Sequence, residues 1–294
     1  MESSEVNLTQ VIIDTINNLF NNLFSSIDNS LYTILDDLLF LDTSIIHDGN
    51  IQKFIGNFNS SGILLICNSL LLGFLLYYSI SLVLSYYTFS NIQKPYQFVF
   101  KLFLCAVIIN SSVFLLEYFI DFFAIITNLI RQVGEDIINE SICLSKFIEK
   151  INSNVFIDST LNIFSFDGLV KSFTSVGLLN LAITYSIRYI LIKVFVLLFP
   201  FAVISLLHQH TAWIFKSWIK MFFSLMFLQV FVSLILLISF SIEINSSDML
   251  SKIISIGAIY TLIKANAFAR DFIGGFSDNF SNISSLLSRN YFKK

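Results

Sequence analysis

Long apolar runs alternate with short polar breaks over most of the chain. No charged residue falls between Lys53 and Lys94, and none between Met221 and Ile242. About 20 apolar residues cross a bilayer as a helix, so the pattern predicts five spans. They are Ile63–Ser85, Leu102–Ile126, Leu179–Leu206, Met221–Ile242 and Leu250–Phe268. Pro200 should kink the third, because it removes one helical hydrogen bond. Trp213 and Trp218 precede the fourth, where interfacial tryptophans belong. Lys252 and Lys264 lie near the two ends of the fifth and can snorkel.

Outside the spans the period changes. Leu8, Ile12, Ile16, Leu19, Leu23, Ile27, Leu31, Ile34 and Leu38 step by three or four residues. That spacing predicts a long amphipathic helix, or two, with an Asn- and Asp-rich opposite face. Interfacial helices carry Lys or Arg on the polar face, and this one carries acids, so its seam is expected to pack against other helices. Residues 131–177 are long for a connection. Val133, Ile137, Phe147 and Ile151 suggest a further amphipathic helix there, and Phe156 to Phe173 is again apolar. This loop is expected to fold on the outer face, as a cap or as a docking surface.

Composition agrees with the pattern. Of 294 residues 55% are hydrophobic and 13% charged, and mean hydropathy is +0.78. Soluble domains carry about 25% charged residues, so a soluble enzyme is excluded, and disorder with it. The first basic residue is Lys53, after eight acids, so neither a secretory signal nor a transit peptide is expected. Lys and Arg set orientation. Lys94 and Lys101, then Lys216 and Lys220, then Arg270, Arg289, Lys293 and Lys294 mark three segments as cytoplasmic. The acid-rich N-terminal region, residues 131–177 (six acids, four bases) and the loop with Glu243 and Asp248 read as outside. The expectation is an all-α integral membrane protein of about five transmembrane helices, N-terminus outside and C-terminus cytoplasmic. Its parts are an extracytoplasmic helical region 1–56, a membrane core 57–272 and a short cytoplasmic tail 273–294.

Chemistry-bearing residues are few. No phosphate-binding glycine loop, HExxH or serine elbow occurs, so no catalytic residue is named and no cofactor is expected. Cys67, Cys105 and Cys143 are far apart. His208 and His210 stand two apart, which does not put them on one helix face, and no metal site is expected. The second span carries Asn110, Glu117, Asp121 and Asn128, spaced by 7, 4 and 7. At 100° per residue they fall within about 40° of one another. Such a polar stripe lines a path or enters internal ion pairs. Arg188 and Lys193 in the third span supply the counter-charges, and equal depth suggests that Arg188 meets Glu117, Asp121 or both. In the fifth span Gly257, Thr261, Ala265 and Ala269 repeat every four residues, a stripe that lets helices approach closely.

Three stretches resemble one known family. These are "PYQFVFKLFLCAVIINSSVFLLEYFIDFFAIITN" at 95–128, "FPFAVISL" at 199–206 with the Trp-Lys approach and Gln229 that follow, and "AFARDFIGGFS" at 267–277. They are similar to the polytopic inner-membrane channel subunits of VirB-type and conjugative type IV secretion systems, the TrbL group, over about residues 55 to 280. The resemblance implies a multi-pass protein of the bacterial cytoplasmic (inner) membrane with a non-enzymatic role in passing DNA or protein. Its implied partners are a bitopic assembly factor, separate ATPases, the lipid bilayer and other copies of itself as a homo-oligomer. A small-solute transporter or permease subunit is the alternative. The absence of internal repeats, the sparse glycines and the short cytoplasmic loops count against it.

Overall fold

The computed structural model describes residues 15–19, 22, 34–56, 62–88, 94–155, 166–208, 210–242 and 249–291. Among them every regular element is helical. After a helical stretch 34–39 come α1 (Ser44–His47), α2 (Gly49–Ile55), α3 (Ile63–Thr88), α4 (Pro95–Asn110) and α5 (Ser112–Ile138). Then follow α6 (Leu144–Val155), α7 (Phe166–Ile204), a 3-10 turn (Ser205–Leu207), α8 (Ala212–Ser241) and α9 (Met249–Tyr291). Among the described residues five segments are long and apolar enough to cross a membrane: Ile63–Thr88, Ser112–Ile138, Gly168–Leu207, Ala212–Ser241 and Met249–Ile273.

The second span departs from expectation. It is broken at Ser111, so Pro95–Asn110 is a separate short helix and the membrane-length helix starts at Ser112. The cause is local. Asn110 Nδ2 donates to the Ala106 carbonyl and Ser111 Oγ to the Val107 carbonyl, both at 2.8 Å. Side chains that bond back to the preceding turn bend helices, and Ser111 sits at φ −94°, ψ 12°. At its other end α5 runs past the expected limit near Arg131. Arg131 Nε donates to the Ile142 carbonyl at 2.7 Å, and Glu135 Oε1 accepts from Ile142 N–H at 3.2 Å. The charges therefore brace the turn after the helix instead of ending it. Asn139, at φ +59°, closes α5 in the left-handed conformation that Asn tolerates.

The third span is also longer than expected, because α7 absorbs residues 166–177 of the expected outside loop. Residues 156–165 lie outside the described residues. Pro200 is accommodated inside α7, which ends four residues later. Trp218 Nε1 donates to the Phe195 carbonyl one turn before the proline, at 3.1 Å. The helix of the fourth span starts at Ala212, and the helix that carries the fifth span, Met249–Ile273, continues to Tyr291.

The chain forms two compact units. One comprises 1–40, 125–188 and 228–269; the other comprises 41–124, 189–227 and 270–294. In the first, Leu35 and Leu39 are buried with Ile142, Phe147, Ile148 and Ile151 against residues of α7, α8 and α9. The predicted N-terminal seam is rotated here: Leu35 and Leu39 are buried and Leu38 packs partly buried against the same core, whereas Ile34 is 53% exposed. Asp36 sets the rotation, since its carboxylate accepts from the N–H groups of Leu144 (2.8 Å) and Ser145 (3.3 Å) at the start of α6. Most of the seam from Leu8 to Leu31 lies outside the described residues. Of the residues expected to form a helix in the outside loop, Phe147 and Ile151 are buried, while Val133 and Ile137 are exposed on α5.

In the second unit α3 and α4 pair antiparallel. Tyr78 stacks on Phe98 at 3.9 Å, and the amides of Asn68 and Asn110 bond reciprocally at 3.3 and 3.4 Å. Phe119, Phe123, Trp218, Phe222 and Phe223 form an aromatic cluster between α5 and α8. Leu41, Ile45, Ile46, Ile51 and Ile55 of the N-terminal segment are buried.

Glycine substitutions test this packing. A Cβ on Gly134 would collide with Ile142 Cδ1 and lie 2.5 Å from Leu237 Cδ1, whereas nothing stands within 4 Å at Gly257. Gly134→Val should cost about 1–3 kcal/mol through overpacking. Gly257→Ala should be neutral or gain up to about 1 kcal/mol in helix propensity. Thermal unfolding in detergent measures both, and equal losses at the two sites would contradict the packing described.

Candidate functional site: the charges of the apolar helices

Among the described residues Arg188 is the largest fully buried side chain, 1% exposed in the middle of α7. Its Nη1 donates to the Leu39 carbonyl at 3.0 Å, and its guanidinium lies 6.0 Å from the Tyr185 ring. Leu39 is the last residue of the helical stretch 34–39. Carbonyls at a helix C-terminus lack partners within the helix and carry partial negative charge. A guanidinium there satisfies the carbonyl and meets the favourable end of the dipole.

Lys193, further along α7, is held by the same stretch of chain. Its Nζ lies 2.6 Å from Asp48 Oδ2 and 4.5 Å from the centre of the Tyr189 ring. Asp48 also caps α2, accepting from Asn50 N–H at 3.1 Å. The hydrogen bond from Lys193, with the Asn50 N–H second, holds the Asp48 carboxyl below the ordinary aspartate range. Glu117 of α5 is bonded by the adjacent residue: Glu117 Oε1 lies 3.5 Å from His47 Nε2, and His47 Nδ1 lies 3.3 Å from Gln52 Nε2.

Three charges carried by apolar helices are therefore met by residues 39 to 48. The pairing of Arg188 with Glu117 or Asp121 that depth suggests would join residues of different units. Within its own unit Arg188 has the Leu39 carbonyl and Glu117 has His47. The polar stripe is divided by the break at Ser111. Asn110 lies on α4, bonded to Asn68, while Glu117, Asp121 and Asn128 lie on α5. Glu117 is half-buried; Asp121 and Asn128 are exposed, beside the exposed Tyr118, Phe122, Ile125 and Leu129. The small-residue stripe of α9 is divided too. Ala265 and Ala269 are buried in the first unit's core, and Gly257 and Thr261 are exposed.

Sequence reasoning missed His47, Asp48 and the Leu39 carbonyl. A signal existed for Asp48, since an Asp directly before a short apolar-periodic stretch reads as a helix N-cap. None existed for a backbone carbonyl. The rings of His208 and His210 lie 5.5 Å apart, and the described residues contain no group of three or more His, Cys, Asp or Glu placed to hold a metal ion. No protein-family model matches this chain, and no curated protein matches it.

Two substitutions probe the site. Arg188→Gln should destabilise the protein by roughly 1.5–3 kcal/mol, the worth of a hydrogen bond to a charged group. Asp48→Asn should lower the thermal midpoint at neutral pH. A carboxyl whose folded pKa is depressed contributes stability above its unfolded value, about 3.9, and loses it as pH falls through the folded one. The gap between wild type and Asp48→Asn should thus be constant from neutral pH down to about 5 and close below about 4. A gap that widens in acid would refute the assignment.

Proposed function

We propose that this chain is a non-enzymatic channel or platform subunit of a type IV secretion or conjugative transfer machine. It would sit in the bacterial cytoplasmic membrane with its N-terminus outside and its C-terminus inside, as the loop charges indicate. The reading is supported by the resemblance over about residues 55 to 280 and by the five apolar helices. The observation that carries it furthest is the outer face of α5, where Asp121 and Asn128 stand exposed among large apolar side chains. An ionised carboxylate is poorly tolerated against acyl chains. A span that leaves one on its surface is suited to a neighbour, another copy or another subunit, or to water in a conduit. A bitopic assembly factor and separate ATPases would complete the machine, and DNA or protein would be its cargo.

Loss of the gene should abolish transfer of a plasmid or secreted protein, and Asp121→Leu should impair transfer while the protein still accumulates in the membrane. Accumulation of a small solute by the purified protein alone in liposomes would replace this reading with a transporter. Topology gives an independent check. Reporter fusions after Asn50, Ile157 and Asn245 should report outside, and those after Gln93, Gln209 and Lys294 inside; a cytoplasmic signal at Ile157 would end the five-span orientation.

A further inference from the structure

Two charges stand on the outside of the spans, far from any span end. Asp121 of α5 and Lys264 of α9 are both exposed, and neither makes a hydrogen bond or an ion pair among the described residues. The other exposed charges of the spans, Asp136, Lys216, Arg270 and Asp271, stand within four residues of a span end, where headgroups and water are in reach. A charge held against acyl chains is costly, and it is usually found facing a partner or water.

Counted along each helix, the two charges lie at one depth. Asp121 is nine residues after Ser112, and Lys264 is nine before Ile273. At 1.5 Å per residue each is about 13 Å from its span end. The second and fifth of five alternating spans run in opposite directions, so those two ends share one side of the membrane whichever way the protein faces. A lysine stem can snorkel toward that side; the short aspartate side chain cannot. The surfaces around the charges match as well. Asp121 is flanked by the bulky, exposed Tyr118, Phe122 and Ile125. Lys264 shares its face with the exposed Gly257 and Thr261, and nothing stands within 4 Å of a Cβ on Gly257. Small residues let another helix approach closely.

We propose that Asp121 of one copy of this chain pairs with Lys264 of a second copy, α5 lying antiparallel against the α9 of its neighbour. Charge complementarity selects the occupant. The chain itself carries both halves of the pair, opposite in sign and equal in depth, so a second copy in the same membrane always presents the match. The same antiparallel register brings Asn128, seven residues beyond Asp121, opposite Gly257, seven residues before Lys264. The second exposed polar residue of α5 thus meets the one position of that face without a side chain. This inference names the neighbour that the proposed function leaves open. It rests on the five alternating spans of that reading and not on the transfer role.

Co-purification of two differently tagged copies of the full chain, extracted from the membrane in mild detergent, tests the pair. Wild-type copies should co-purify. Asp121→Lys in both copies, or Lys264→Asp in both, sets like charges against each other and should lower co-purification at least about ten-fold. One copy with Asp121→Lys beside one with Lys264→Asp restores opposite charges at every contact between unlike copies. That mixture should co-purify at least about ten-fold better than either variant with itself. A pair formed within one chain predicts no such rescue, because each chain keeps its own like charges. If the reversals do not accumulate, an Asp121→Cys copy co-expressed with a Lys264→Cys copy should be joined by a short bis-maleimide, and neither should be joined to wild type. Wild-type copies that do not co-purify, single reversals that co-purify like wild type, accumulated copies that mixing does not rescue, or the lack of a cross-link would each overturn the proposal. Association that survives both reversals would assign Asp121 to a different subunit or to water. The readout is self-association, so its failure leaves the transfer role standing, and loss of that role leaves this pair standing.

Discussion

A charge carried on an apolar helix must be met, and that requirement organises the N-terminal segment of this protein. Leaving a buried charge without its partner costs several kcal/mol, more than a short loop gains from packing any one side chain. Arg188, fully buried, and Lys193 and Glu117, partly buried, present three charges on α7 and α5. The chain from Leu39 to Asp48 answers them in order, with a backbone carbonyl, a carboxylate and an imidazole. Two of the answering groups have a second local role or origin. The Leu39 carbonyl belongs to a helix end, and Asp48 caps the next helix. Breaks in the secondary structure of the segment thus coincide with the groups that satisfy the spans.

Polar anchors also decide how apolar faces are turned. The seam predicted through Ile34 and Leu38 is turned so that Leu35 and Leu39 are buried and Leu38 packs partly buried against the same core, with Asp36 fastened to the start of α6. Arg131 lies 4.4 Å from the Phe40 ring and donates to the Ile142 carbonyl, so one side chain joins the end of the N-terminal helix to the turn after α5. Gly134 admits Ile142 and Leu237 at a distance that any larger residue would obstruct. In contrast α3 buries only Leu64, Cys67 and Leu71 and is apolar around its circumference. Its remaining surface suits acyl chains or another protein.

For the proposed role the division of polar groups between interior and surface is the relevant feature. Glu117 is engaged by His47, while Asp121, one turn further, is left on the exterior of the same helix. One helix thus carries an acid engaged within the protein and an acid left exposed. Thr127 of α5 and Gln229 of α8 belong to a third category: buried polar groups with no hydrogen-bond partner among the described residues.

The all-helical membrane class, the existence of five apolar spans and the charge-free character of α3 and α8 were determined by the sequence alone. Each follows from a composition that persists over 20 residues, and transfer from water to lipid depends on that average rather than on particular neighbours. The break at Ser111 was also written locally, in Asn-Ser-Ser, but its effect depends on side chains choosing carbonyls of the preceding turn, which periodicity does not report. The partners of Arg188, Lys193 and Glu117 were decided only by the tertiary structure. Those contacts cross 70 to 149 residues of chain, and one acceptor is a backbone carbonyl that every residue possesses. Charge and depth identify which groups need a partner; only the fold decides which of several adequate partners comes within reach.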